Sequence, residues 1–138
     1  MARFVRPCLE KEKGEFIRVE QEEGVPLEPM MQAAKVAPLH VLTDEEWRTI
    51  RNTESCKPSL TIAEVRRFAR DWTYRDVDRI EQGFRRGDPM PAPIVLVKPD
   101  GEWTCVAGNT RLSVARAIGI QPTVLLIKML PLPKDRPV

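Results

Sequence analysis

The stretch from Pro93 to Ile127 constrains the fold of this chain most. Ile94-Val95-Leu96-Val97 is a short unbroken apolar run, which reads as a buried strand. Pro99-Asp100-Gly101 has turn chemistry, with proline fixing one dihedral and glycine supplying the left-handed position. Glu102 to Ala107 alternates in polarity, so the two strands are expected to pair as a hairpin. Gly108 follows. A helix is predicted from about Asn109 to Ile118, with Leu112, Ala115 and Ile118 on one face. Gly119 is its natural stop, and Thr123 to Ile127 reads as a further buried strand. A small mixed sheet with helices packed on it, an α+β domain, accounts for this order.

The upstream sequence supplies helix starts. Thr43-Asp44-Glu45-Glu46 is a capping box, with Thr43 as cap and Glu46 as its reciprocal partner; the helix is expected to end near Asn52. Thr61 with Glu64 and Thr73 with Asp76 repeat the pattern. Ile62, Val65, Phe68 and Ala69 form the apolar face of the second helix, Val77, Ile80 and Phe84 that of the third. Gly87 stops the third helix, and Pro89 to Pro93 is expected to be an extended connector. Val36 to Leu42 is strand-like, as is the alternating segment Glu15 to Glu20. Gly24, Pro26 and Pro29 break the chain between them, and residues 1–13 show no clear periodicity. The chain thus divides into an N-terminal extension over 1–35 able to join the sheet, a main domain over 36–130, and an irregular proline-rich tail over 131–138.

Composition narrows the function classes. At 138 residues, 42% hydrophobic and 30% charged, the chain fits one globular domain able to bury a core without disulfide staples. A net charge of +2 is too small to diagnose a nucleic-acid binder, but charge is segregated. Glu10 to Glu23 holds six acids against three bases, and Ile62 to Arg86 holds seven arginines against five acids. Cys8, Cys56 and Cys105 are odd in number and form no C-x-x-C, so neither a disulfide framework nor a zinc site is indicated. His40 is the single histidine. No apolar run approaches the ~20 residues of a membrane span, and no signal-peptide block opens the chain; no membrane partner is expected, and the cytoplasm is the expected location.

Gly108-Asn109-Thr110-Arg111 joins strand to helix directly. Glycine lets the backbone approach a ligand closely. A helix start offers unpaired N–H groups and a partial positive charge, where phosphate binds readily. Arg111 falls in the first turn, where a cation is disfavoured by ~0.3–1 kcal/mol unless an anion is near. An ordinary glycine turn with a solvated arginine gives the same short pattern.

The order Pro93-Ile94-Val95-Leu96-Val97, turn, Val106-Ala107-Gly108, Asn109-Thr110-Arg111-Leu112-Ser113-Val114-Ala115, Gly119 and a strand at Val124 resembles the ParB/sulfiredoxin superfamily, in the manner of its stand-alone phage members. The resemblance covers residues 92–128, extends loosely back to Val36 and leaves out 1–35. It implies a ParB/sulfiredoxin-like fold in which 36–130 binds a nucleotide and Gly108, Asn109, Thr110 and Arg111 hold its phosphates. The superfamily includes CTP-binding partition proteins, ATP-dependent sulfiredoxins and free-serine kinases. The chain departs from sulfiredoxins in carrying Asn109 where their reactive cysteine stands. It departs from partition proteins in showing no helix-turn-helix signature after residue 128.

A kinase-type activity, with ATP or another NTP and Mg2+ as cofactors, is the reading that this resemblance implies. Phosphoryl transfer needs charge neutralisation on the phosphates and a base for the attacking hydroxyl. Asp44 and Glu46 are candidate bases, as the serine-kinase branch has an acid in a similar place; Asp76 is another, and a magnesium ligand besides. Each of these acids equally suits helix capping. Arg66, Arg67, Arg70 and Arg75, with Trp72 and Tyr74 between them, suit a DNA surface, or a solvated helix face with local Arg–Asp pairs. The expected acceptor is a hydroxyl on DNA, such as a hydroxymethylated pyrimidine. A non-catalytic nucleotide-gated DNA-binding module and a ParB-like nuclease are the alternatives.

Overall fold

A computed structural model describes residues 3–53, 57, 60–68 and 77–129. The described elements run β1 (Arg3–Val5), α1 (Lys13–Glu23), α2 (Leu27–Val36), β2 (Leu39–Val41), α3 (Asp44–Thr49), α4 (Ile62–Phe68), α5 (Val77–Arg86), β3 (Pro89–Pro91), β4 (Ile94–Val97), β5 (Trp103–Ala107), α6 (Asn109–Ala117) and β6 (Thr123–Lys128). Four strands form a mixed sheet in the order β2-β6-β4-β5. β4 and β5 are the antiparallel hairpin, β4 and β6 are parallel, and β2 runs antiparallel to β6. The α+β class follows directly.

Both faces of this sheet are covered, which explains the apolar runs in β4 and β6. Ile94, Leu96, Leu125 and Ile127 face Phe16 and Val19 of α1 and Met30 and Ala34 of α2. Their alternates Val95, Val124 and Leu126 face Trp47 of α3, Leu112 of α6, Leu42 and Ile50. α6 is buried on its far side as well, where Val114 and Ala115 pack against Val65, Val77 and Phe84. Four consecutive α6 residues, Leu112 to Ala115, are therefore buried. The core is continuous across residue 35: the 1–35 segment supplies one whole cover of the sheet.

Several elements differ from the sequence expectation. Glu15 to Glu20 is helical, not a strand. Its short alternation also places Phe16 and Val19 three apart on one helix face, both fully buried, and Gly24 at φ 72° closes the helix through its N–H to Glu20 O. Pro26 and Pro29 do not break the chain for long. Pro26 is the cap of α2 and Pro29 lies in its first turn, where no backbone N–H is needed. Val36 ends α2, so the strand expected over 36–42 is confined to Leu39–Val41. Arg3–Val5 and Pro89–Pro91 form a parallel two-stranded sheet, long-range pairing that no local pattern signals. The boxes at Thr43/Glu46 and Thr61/Glu64 form as expected; that at Thr73/Asp76 lies outside the described residues. No helix among the described residues is long and apolar enough to cross a membrane.

Phe16 is the anchor of α1 on the sheet. Phe16→Ala is expected to cost about 3–5 kcal/mol, the scale of a fully buried aromatic truncation. Urea denaturation of both proteins checks this; a loss below 1 kcal/mol would mean that α1 does not cover the core.

Candidate functional site

β5 is an edge strand, and its outer side is occupied by side chains. The Asn52 amide accepts from Cys105 N–H at 2.7 Å and donates to Cys105 O at 2.9 Å, standing in for a neighbouring strand. Ile50 bridges to Trp103 just before it. From α1, Arg18 Nη2 donates to Val106 O at 2.9 Å and Cys105 O at 3.4 Å. Its remaining donors reach Glu22 at 2.8 Å and Glu15 at 3.3 Å. The register of β5 on β4 shifts between Ile94 and Val95, a bulge that re-aims the end of the strand. Val106 and Ala107 consequently both enter the same core cluster.

Gly108 comes next, at φ 84°. A β-carbon there would lie 2.7 Å from Arg111 Nη2 and 2.8 Å from Pro93 Cα. Backbone conformation and space both require glycine. Gly108 is also the cap of α6 and has no side chain to satisfy the first turn. The first bond into the helix is Leu112 N–H to Gly108 O at 2.9 Å, so Asn109, Thr110 and Arg111 present N–H groups outside the helical ladder. The first turn carries no acid.

This helix start opens into a cleft of about 760 Å³. Gly108 to Arg111 and the end of β5 line one side, α1 lines another through Glu12, Glu15, Arg18, Glu22 and Glu23, and Ile80, Met90 and Pro91 add an apolar patch. The four sequence-predicted phosphate residues are thus together in one concavity. The acids that share it are not the predicted ones. Asp44 is 75% exposed, with Arg116 Nη1 3.9 Å away, and Glu46 closes its capping box while His40 Nε2 lies 2.8 Å from its carboxylate. Neither lines the cleft. Burial raises the pKa of Glu46, but hydrogen bonds from Thr43 N–H and His40 outweigh it and hold the carboxyl below its usual range. Asp76 lies outside the described residues.

Local sequence does not mark Glu12, Glu15, Glu22 and Glu23 as cleft residues, because the alternation over Glu15 to Glu20 suits a strand as well as a helix. Helical spacing of Glu15, Arg18 and Glu22 was the available signal. Glu15 and Glu22 pair with Arg18, and Glu23 with Lys98 at 2.9 Å; Glu12 has no ion pair among the described residues. The lining holds these four carboxylates against the guanidiniums of Arg18 and Arg111. Among the described residues no group of three or more His, Cys, Asp or Glu is arranged to hold a metal ion by itself.

The arginine-rich segment is largely paired where it is described. Arg66 contacts Asp78 at 2.8 Å and Glu81 at 3.2 Å, Arg85 contacts Glu81, and Arg86 contacts Asp88. Arg67 is exposed. Arg70, Trp72, Tyr74 and Arg75 lie outside the described residues.

The fold and site together define a small mixed α+β domain with a charged cleft at a strand–glycine–helix junction. Comparison with protein-family models, curated proteins and solved structures finds no match.

Cys105 lines the cleft but is buried at 2% exposure. Burial pushes its thiol up to about 12, against a smaller downward pull from Arg18 and Arg111. A thiol so placed stays protonated and unreactive near neutrality. Alkylation at pH 8 is expected to label exposed Cys8 in the native protein and Cys105 only after unfolding. Mass spectrometry of the two peptides checks it, and fast native labelling of Cys105 would contradict this burial.

Proposed function

We propose that the domain binds nucleotide phosphates at Gly108–Arg111 and transfers a phosphoryl group to a hydroxyl, as a kinase of ParB/sulfiredoxin type. The observation that carries this reading is one cleft holding an uncapped helix start together with the α1 carboxylates. Four carboxylates make a poor host for a bare polyphosphate. A divalent cation between the two removes the mismatch. Magnesium fits: it takes one or two protein carboxylates and completes its shell with phosphate oxygens and water. Glu15 would hold it together with phosphate oxygens and water, and magnesium would neutralise charge on the transferring group. The backbone N–H groups of Asn109 to Arg111 orient the phosphates. Glu12, which has no ion pair among the described residues, is the carboxylate best suited to accept the proton of the attacking hydroxyl.

A hydroxyl on DNA, such as a hydroxymethylated pyrimidine, is the acceptor that the arginine content of 62–86 supports. The second reading is a nucleotide-gated DNA-binding module without catalysis. It is favoured by the ion pairs that engage Glu15, Glu22 and Glu23, since a carboxylate so engaged positions α1.

Arg111→Ala is expected to weaken binding of Mg-ATP or Mg-CTP by about 1.5–3 kcal/mol, the scale of a charge-assisted hydrogen bond, as read by calorimetry. Equal affinity in both proteins would exclude the junction as the phosphate site. With γ-labelled ATP, magnesium and hydroxymethylated or plain DNA, label should pass to the hydroxymethylated DNA. Glu12→Gln should stop transfer with nucleotide binding nearly unchanged, while Asp44→Asn retains it. Retention of nucleotide without transfer identifies the binding module, and strand cutting identifies a nuclease.

DNA affinity should fall steeply with salt as bound phosphates release counterions. Charge reversal at Arg67 should weaken it more than reversal at Arg66, which already contacts Asp78 and Glu81. A flat salt response in filter binding would leave a small-molecule hydroxyl as the acceptor.

A further inference from the structure

Gly108 gives the strand–helix turn its shape but leaves the first turn of α6 without a side-chain cap. A left-handed glycine restrains its own dihedrals less than any other residue, so contacts from outside the turn help to fix where the N–H groups of Asn109 to Arg111 point. The segment after α3 is placed to do it. Ile50 bridges to Trp103, and Asn52 holds both backbone groups of Cys105 at 2.7 and 2.9 Å. Thr53 then reaches under α6, where its hydroxyl donates to Asn109 Oδ1 and lies 3.5 Å from Ser113 Oγ.

The burial of this contact is unusual for the chain. The buried polar side chains among the described residues are Thr53, Thr104 and Ser113, and two of these three meet at this one point. Buried hydroxyls persist where they are hydrogen-bonded and where an apolar replacement would lose geometry. Thr53 and Ser113 are 60 residues apart in sequence, so the contact ties the α3 segment to α6. Ser113 lies one turn along the helix from Asn109, so Thr53 bridges successive turns of α6 at its start.

We infer that Asn52 and Thr53 form a strap that positions the phosphate-binding turn, with Thr53 as the residue that orients Asn109 and hence the helix start. The strap grips β5 before the turn through Asn52 and α6 after it through Thr53, so Gly108 is spanned from outside. Thr53 acts through Asn109 and is a positioning residue. This inference rests on the assignment of Gly108–Arg111 as the phosphate site.

Calorimetry with the magnesium salts of ATP, CTP and GTP tests it, alongside thermal melts of the same proteins. Thr53→Val keeps the shape and removes the hydroxyl. It is expected to weaken the nucleotide that the wild type binds by about tenfold, the scale of one hydrogen bond. Thr53→Ser, which restores the hydroxyl, should recover most of that loss even where its melting temperature stays lowered. A purely structural contact gives the opposite split, a lower melting temperature with unchanged affinity well below the melt, and that result overturns the inference. Asn109→Ala removes the acceptor from the exposed side and completes a double-mutant cycle. Strong non-additivity on affinity supports the strap, and additive losses overturn it. Should Thr53→Val fail to fold, Thr53→Ser and Asn109→Ala decide: the strap requires near-wild-type affinity in the first and a loss in the second. A wild-type protein that binds none of the three nucleotides overturns the phosphate site and the strap with it. Wild-type binding with an unaffected Thr53→Val overturns the strap alone.

Discussion

Ile94 to Leu96 of β4 and Val124 to Ile127 of β6 are buried and wholly apolar, and the rest of the molecule is arranged around hiding both of their faces. Ile94, Leu96, Leu125 and Ile127 need a cover on one side, and Val95, Val124 and Leu126 need one on the other. A strand pair with one open face would leave several branched side chains in water, each worth about 1.5–3 kcal/mol when buried. α3 and α6 close one face. α1 and α2 cover the other. That requirement makes the first 35 residues part of the domain. It also brings a strongly acidic helix alongside the end of β5.

The cleft is a by-product of this covering. α1 crosses the sheet where β5 ends, and the bulge together with Gly108 turns the chain away from the sheet at that point. The space left between them is lined by the end of β5 and the start of α6 together with the carboxylates of Glu12, Glu15, Glu22 and Glu23. Arg18 lies between the two sets. Its guanidinium serves the Val106 and Cys105 carbonyls, Glu15 and Glu22 together, and so fixes α1 against the strand while limiting repulsion among the acids. The opposite edge of the sheet is closed differently, by the short strand β2, with His40 reaching the capping carboxylate of Glu46.

Charge in the middle of the chain is similarly organised by pairing. Arg66, Arg85 and Arg86 spend much of their charge on Asp78, Glu81 and Asp88. Exposed pairs of this kind contribute little to stability, typically 0–1 kcal/mol. They do reduce the field available to a polyanion. Arg116 is used inwardly, over the Trp47 ring at 4.4 Å, and adds a cation–π contact to the apolar cluster that α3 and α6 already share.

Local sequence determined the part of this protein whose causes are local. The hairpin, the Gly108 junction, α6 and β6 were legible because apolar runs, turn residues and helix stops fall in adjacent order. The boxes at Thr43 and Thr61 were legible because cap and partner are three residues apart. The grouping of Gly108 to Arg111 was legible for the same reason. Tertiary structure alone decided the remainder. Glu15 to Glu20 alternates over too short a window to separate a strand from a helix, and only the sheet face waiting for Phe16 and Val19 settles it. β1 and β3 exist because Arg3–Val5 meets Pro89–Pro91, a pairing across some eighty residues with no local signature. Asp44 and Glu46 are well placed in chain order yet lie away from the cleft, and Glu12, Glu15, Glu22 and Glu23 line it. Sequence order states which residues are near along the chain; which carboxylate faces the Gly108 turn depends on how a distant helix packs to bury its own apolar face.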